Sequence, residues 1–422
     1  MGGVSDDVLT ARAFLSRVAE PACIPLWVAV CRDGPVMVAD SIRAGTAAPA
    51  VLEACAPRAA HTDPYADLEA ADRRGIRLVV PEANEWPHFA LSCLEAAGAR
   101  RATAYQNGQT RHCDAGEPIP PLALWVRGTA DLAALGVRSV GIVGSRAATS
   151  YGEQVAADLA GGLAARGVVV VSGGAYGIDA AAHRGALQSA GETVIVSAGG
   201  VDRAYPPSNA RLFERAAKSG LILSESPPGA VPQRRRFLTR NRLIAALATG
   251  TVVVEAAARS GAKNTARHCS DLGRPVMAVP GPVTSIMSAG CHELLSAEAH
   301  RAYLVTSVSD VLAVIGGSSD LGAYTADGSD TGADDLRSSL DTLESAARQV
   351  FDGLPARRAA SVDELAVASG LATVEVIRAL PGLEIAGLAE SVEGGYRISP
   401  FARRRVGRAG APSSPSTVSV IR

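Results

Sequence analysis

The stretch Ser139-Val140-Gly141-Ile142-Val143-Gly144-Ser145-Arg146 decides the fold. A short apolar, β-branched run ends there in glycine, serine and arginine. The helical stretch Gly152–Ala165 follows, with Val155, Leu159 and Leu163 recurring at i, i+4 and i+8 on one face. A second apolar run, Val168–Val171, then leads into Ser172-Gly173-Gly174. The alternation repeats through Val194–Val196, Leu221–Leu223, Val252–Val254 and Val276–Val279. Strands alternating with helices specify a parallel sheet covered on both faces. The reading is an α/β fold, a doubly wound Rossmann-like parallel sheet, over residues 139–315.

On the N-terminal side, residues 1–75 read as a helical region, because Ala11–Val18, Val36–Arg43 and Tyr65–Arg74 carry apolar residues at helical spacing. Residues 76–138 read as an irregular connector and the start of the core, marked by Pro81, Trp86-Pro87 and Pro120-Pro121 and ending in the apolar Leu122–Val126. On the C-terminal side, residues 316–339 are rich in Gly, Ser and Asp and read as a flexible linker. Residues 340–400 then give three short amphipathic helices, Leu343–Phe351, Val362–Ala368 and Val374–Leu380. A two-stranded ribbon follows, Leu383–Ala389 and Tyr396–Ser399, turning at Gly394-Gly395. That order is the plan of a winged helix. Residues 401–422, with Arg403, Arg404, Arg405 and Arg408, read as a basic, disordered tail.

Composition narrows the function. Lys and Arg number 41 against 42 acids, a net charge of −1, so any nucleic-acid site must be a local patch. The seven cysteines form no CxxC pair, which argues against a zinc site or a disulfide framework. No signal peptide and no apolar run of about 18 residues is visible, so the protein reads as soluble and cytoplasmic, without a membrane partner.

Several clusters could carry chemistry. Gly144-Ser145-Arg146 ends the first strand, where glycines let backbone amides approach a phosphate and Arg146 adds a bidentate donor. The plainer reading is a strand-to-helix turn. Gly173 and Gly174 form a second turn of the same kind. Asp179 and His183 share a helix face, and a helix-start acid beside a packed histidine is commoner than a catalytic pair. Between Arg234 and Arg242 lie five arginines in nine residues, with Phe237 and Asn241 among them. Such a run suits phosphates plus one stacked base. Lys263, in Ser260-Gly261-Ala262-Lys263-Asn264-Thr265, sits at a further strand-to-helix junction. No GxGxxG and no GK[ST] is present, which counts against a dehydrogenase or an ATPase.

These motifs together resemble the DprA/Smf family. Gly144-Ser145-Arg146, Ser172-Gly173-Gly174 with Gly177-Ile178-Asp179 and His183, Tyr205-Pro206 with Asn209, and Ser224-Glu225 occur in that family's order. Phe237 with Arg240-Asn241-Arg242, Glu255-Ala256 and Val279-Pro280-Gly281 complete it. The resemblance implies a Rossmann-like core that binds single-stranded DNA, forms a homodimer and interacts with the RecA recombinase in transformation and recombination. It implies no catalytic residue, cofactor or metal. It implies a phosphate held by Arg146 with Gly144 and Ser145, a basic DNA contact at Arg234 and a base packed on Phe237. Gly173 and Gly174 of the glycine rim and Arg240, Asn241 and Arg242 of the arginine run join them as expected DNA contacts, with Lys263 as an electrostatic substitute. Leu294 and Leu295 lie near the edge that the family uses to dimerise. Tyr176 stands where an arginine is common in the family, and Gly261-Ala262-Lys263-Asn264 departs from the usual Gly-Ser-Leu.

Two other readings compete. A nucleotide-binding enzyme of the nucleoside-monophosphate hydrolase type would use the same glycine rim, but its PGGxGT-type motif is absent. A duplex-DNA regulator would act through the winged helix, yet Val374–Leu380 carries only Arg378 as a basic residue.

Overall fold

The computed structural model describes residues 4–109, 117–135, 138–258, 260–297, 301–316, 345–355, 358–385, 388–392 and 394–399. The expected linker and the basic tail from 401 onward lie outside these residues. The chain divides into two compact units, Met1–Ala323 and Tyr324–Arg422.

The first unit is built on a nine-stranded sheet: β1 (Ile76–Val79), β2 (Leu124–Arg127), β3 (Ser139–Val143), β4 (Val169–Ser172), β5 (Thr193–Val196), β6 (Leu221–Ser224), β7 (Gly250–Val253), β8 (Val276–Ala278) and β9 (Tyr303–Leu304). The spatial order is β1-β2-β6-β5-β4-β3-β7-β8-β9. From β6 to β9 every pairing is parallel. β1 and β2 add an antiparallel edge. The strand order reverses beside β3, between β4 and β7, which is where doubly wound sheets hold ligands.

The two-residue period of the strands feeds two cores. From β3, Val140 and Ile142 pack with Leu159 and Leu163 of the helix Ser150–Ala164 and with Ile178 and Ala182 of the helix Ile178–Gln188. Val143, Val171 and Val194 face the other way, against Leu243, Ile244 and Leu247 of the helix Arg234–Leu247. That last helix is covered on all sides from Thr239 onward.

Five helices between Asp6 and Asp72 form the N-terminal bundle, with their own core of Phe14, Leu15, Val18, Leu26 and Ile42. Trp125 of β2 joins it to the sheet: the ring is fully buried and its Nε1–H donates to Ser16 Oγ at 3.2 Å. The connector differs from its sequence reading. It holds β1, β2 and a 19-residue helix, His88–Gln106. Pro87 stands just before that helix, where a missing N–H removes no intrahelical bond, so the proline marks a start and not a break.

The second unit contains the helices Ser345–Gly353, Val362–Ser369 and Thr373–Ile385, then β10 (Ala389–Val392) paired antiparallel with β11 (Gly395–Ile398). Ser361 and Glu364 form a capping box that starts the second helix, and Gly370 at φ 70° ends it. Leu383 belongs to the third helix, not to the ribbon as the sequence suggested. It continues the buried series Val376, Leu380, Leu383 at i, i+4, i+7, so the core holds it in helical register. Among the described residues no single helix is long and apolar enough to cross a membrane.

Candidate nucleic-acid interface

The loops after β3, β4, β5 and β7 meet at the carboxyl rim of the sheet. Where the strand order reverses, a carboxylate of the chain itself fills the crevice. Glu255, just past β7, takes φ 152°, a conformation that L side chains rarely adopt. Its carbonyl accepts from Ser145 N at 2.7 Å. Its carboxylate accepts from Thr149 N at 2.9 Å and from Thr149 Oγ1 at 2.6 Å. The N-terminus of the helix Ser150–Ala164, which a phosphate would otherwise approach, is thereby capped from within. Gly144 and Ser145 are part of this packing: a Cβ on Gly144 would lie 2.5 Å from Ile178, and Ser145 is buried. Both residues shape the rim, and the Ser145 amide is already bonded.

The second glycine turn is held from beneath. Arg240 is buried, and its Nη1 donates to Gly173 O at 2.9 Å and to Val196 O. A Cβ on Gly173 would lie 2.5 Å from that guanidinium, which would have to shift to make room. Gly174, at φ 70°, continues the turn against Phe213. Asp179 accepts from Gly173 N at 3.2 Å and Ala175 N at 3.4 Å. Burial raises the Asp179 carboxyl above its usual range, against the opposing pull of Arg240. Burial likewise lowers the Arg240 guanidinium to about 10. His183 is fully buried with Nδ1 2.7 Å from Thr193 Oγ1. Thr193 in turn donates to Val170 O, which assigns the proton of a neutral ring to Nδ1. Burial takes the His183 pKa down to about 3, so this histidine is packed and uncharged.

On the outer side of the same rim lies an exposed cluster of a different kind. Phe237, in the first turn of the helix Arg234–Leu247, is half-buried. The Arg146 guanidinium carbon lies 5.1 Å from its ring centre, and the Tyr205 ring lies 5.5 Å away at 49°. Tyr205 is 47% exposed. Arg146 and Arg234 are exposed as well. Two aromatic rings flanked by guanidinium groups offer stacking faces and phosphate donors together.

The structure buries the end of the basic run, although the Arg240 guanidinium carbon still lies 6.0 Å from the Phe237 ring centre. Arg240 and Asn241 are buried, and Asn241 Nδ2 donates to Asn264 Oδ1 at 3.1 Å, tying two helices together. Arg242 is fully buried and forks onto both Glu225 carboxylate oxygens at 2.6 Å. These side chains, expected to contact a ligand, instead satisfy polar groups inside the fold. Burial of the helix from Thr239 onward is the reason. Lys263 is paired with Glu293 and donates to Ala258 O at 3.0 Å, so its charge is compensated. Leu294 and Leu295 pack partly buried against the main core.

Three functional features escaped the sequence reading. The sequence marks Tyr205 only as a motif residue, although an aromatic beside Pro206 is an available signal. The Glu255 cap leaves no trace in spacing. Glu20, from the N-terminal bundle, bonds Arg236 through two contacts at 2.8 Å and Arg58 at 2.6 Å. Among the described residues no three His, Cys, Asp or Glu side chains converge to hold a metal ion.

Residues 102–316 match the family model for DNA recombination-mediator protein A, and residues 335–395 match the DprA winged helix domain. The chain is 48% identical to the putative DNA processing protein DprA of Mycobacterium tuberculosis, over 93% of this chain and 95% of that protein. It is 36% identical to Protein Smf of Escherichia coli, over 65% of this chain and 71% of that protein. The X-ray structure of DNA processing protein A from Streptococcus pneumoniae superposes with a TM-score of 0.56 at 28% identity, covering 74% of this chain and 99% of that one.

Proposed function

The chain belongs to the DNA recombination-mediator protein A family, and on that premise we propose that it binds single-stranded DNA at the Phe237 face and presents it to a RecA-type recombinase. One observation carries the reading: Phe237, Tyr205 and Arg146 form an exposed aromatic and basic platform at the rim. A base stacks on the rings while Arg146 and Arg234 take neighbouring phosphates, a combination that tolerates any sequence. Gly144, Ser145, Gly173 and Gly174 set the shape of the platform. Arg240, Asn241 and Arg242 hold it from inside. The exposed edge strand β9, with Tyr303 57% and Leu304 58% exposed, offers main-chain pairing for the homodimer, with Leu294 and Leu295 beneath it.

Glu255 weighs against a mononucleotide-processing enzyme, because a carboxylate already occupies the helix N-terminus that a nucleotide phosphate needs. The test is the affinity of the full chain for oligo-dT, for a duplex of equal length and for nucleoside monophosphates, each at two salt concentrations. A salt-sensitive preference for the single strand is expected. Preference for a mononucleotide overturns the reading in favour of the enzyme. The recombinase step is read separately, as faster RecA assembly on the strand when the protein is present.

A further inference from the structure

The platform has a charged continuation that no motif marked. Tyr205 leads through Pro206 and a short 3-10 turn, Pro207–Asn209, into the helix Ala210–Ser219. Asn209 fixes the start of that helix at the rim, since its Nδ2 donates to Gly174 O at 3.1 Å and Ala175 O at 3.3 Å. The helix connects β5 to β6, so it begins at the carboxyl rim and runs down the flank of the sheet. Leu212, Phe213 and Ala216 face inward. Arg211, Arg215 and Lys218 are exposed and recur at i, i+4 and i+7, a single outward row.

The charge of this row is uncompensated. Among the described residues no carboxylate lies within ion-pair distance of Arg211, Arg215 or Lys218. The acid on the same helix, Glu214, is bonded by Arg127 Nη2 at 2.9 and 2.8 Å, so its charge is partnered. On a chain of net charge −1, three unpaired cations in one row are a concentrated positive field. Seven residues of helix rise about 10 Å, which suits successive phosphates better than a single one.

We propose that the helix Ala210–Ser219 is a second segment of the single-strand track, with Arg211, Arg215 and Lys218 taking backbone phosphates of the strand that leaves the Tyr205–Phe237 platform. The inference rests on the single-strand reading given above. It assigns the platform to bases and this row to phosphates, so the row adds affinity only for strands long enough to reach it.

The full-length triple variant Arg211→Gln/Arg215→Gln/Lys218→Gln tests this, because all three side chains are exposed and the fold does not depend on them. Binding is measured across a salt series for a short oligo-dT of about six nucleotides and for one several times longer. For the long strand, the slope of log K against log salt flattens by about 2, from roughly 0.7 per lost phosphate contact. The short strand binds the variant as it binds the wild type. An unchanged slope with the long strand makes the row a solvated helix face and overturns the inference. Equal loss with both strands also overturns it, since the row would then act as a general field. Failure of the wild type to bind either strand is a different result, and sinks the single-strand reading itself.

Discussion

Phe237 is half-exposed in the first turn of its helix, and Arg242, further along the same helix, is fully buried against Glu225. Their substitution therefore has opposite signatures. Phe237→Ala is expected to lose about 1–3 kcal/mol of oligo-dT binding with little change in stability. Arg242→Ala leaves Glu225 as a buried, uncompensated charge and is expected to cost about 3–5 kcal/mol of folding stability. Chemical denaturation and oligonucleotide titration of both variants separate the two roles. In the sequence they belong to one string of arginines, and string composition cannot say which side chains turn inward. The apolar run Leu243–Leu247 directly after Arg242 was the available hint, since a helix covered on all sides buries its polar residues too. The packed histidines give a pH signature. His183 is lowered to about 3 and His268 to about 4, both mainly by burial. Below about pH 6.5 the unfolded chain binds protons that the folded chain refuses, so stability falls with acidification, by about 1.4 kcal/mol per pH unit for each ring. A His183→Gln variant should show a shallower decline of the denaturation midpoint between pH 6 and 4. An equally steep decline removes His183 from the account.

At the scale of elements, the N-terminal bundle grips the segment that delivers the platform. Arg17 donates to Asp67 Oδ2 at 2.8 Å and to Pro228 O at 2.9 Å. Glu20 accepts from Nε and Nη2 of Arg236, the residue before Phe237. Arg236 itself donates to Val231 O at 3.1 Å, closing the loop on the helix start. Glu20 is thus placed to act as a positioning residue, one contact removed from the proposed DNA face. Glu20→Gln is expected to weaken oligo-dT binding while leaving the salt slope unchanged, because no phosphate contact is removed. Tighter binding with a steeper slope would instead mean that Glu20 masks Arg236, and would overturn the positioning role. The alternating strands and helices from β3 to β8 were legible because each strand is a short apolar run ending in a turn. The helix His88–Gln106 was not legible. Ala and Gly on several of its faces blur the apolar stripe, and the prolines before it suggested irregularity.

At the scale of the molecule, near-neutral charge coexists with a basic face because the exposed cations Arg146, Arg234, Arg211, Arg215 and Lys218 are gathered on the platform and its continuation. The platform and its continuation belong wholly to the unit Met1–Ala323. A chain ending at Gly316 should therefore keep the oligo-dT affinity of the full chain, as read by titration beside a thermal melt of each. Loss of affinity with an unchanged melt would place part of the DNA site in the other unit. The winged-helix plan was legible from helix spacing and the Gly394-Gly395 turn. The start of its ribbon was not, since Leu383 reads equally well as strand or as helix until its core neighbours are known. The Glu255 plug has a consequence for selectivity among ligands. A protein that works amid abundant free nucleotides must not be saturated by them, and a rim that carries its own anion gives a lone phosphate no pocket to settle in. If the platform takes single strands as proposed, only a polymer, touching rings and guanidinium groups at several points at once, gathers enough weak contacts to stay.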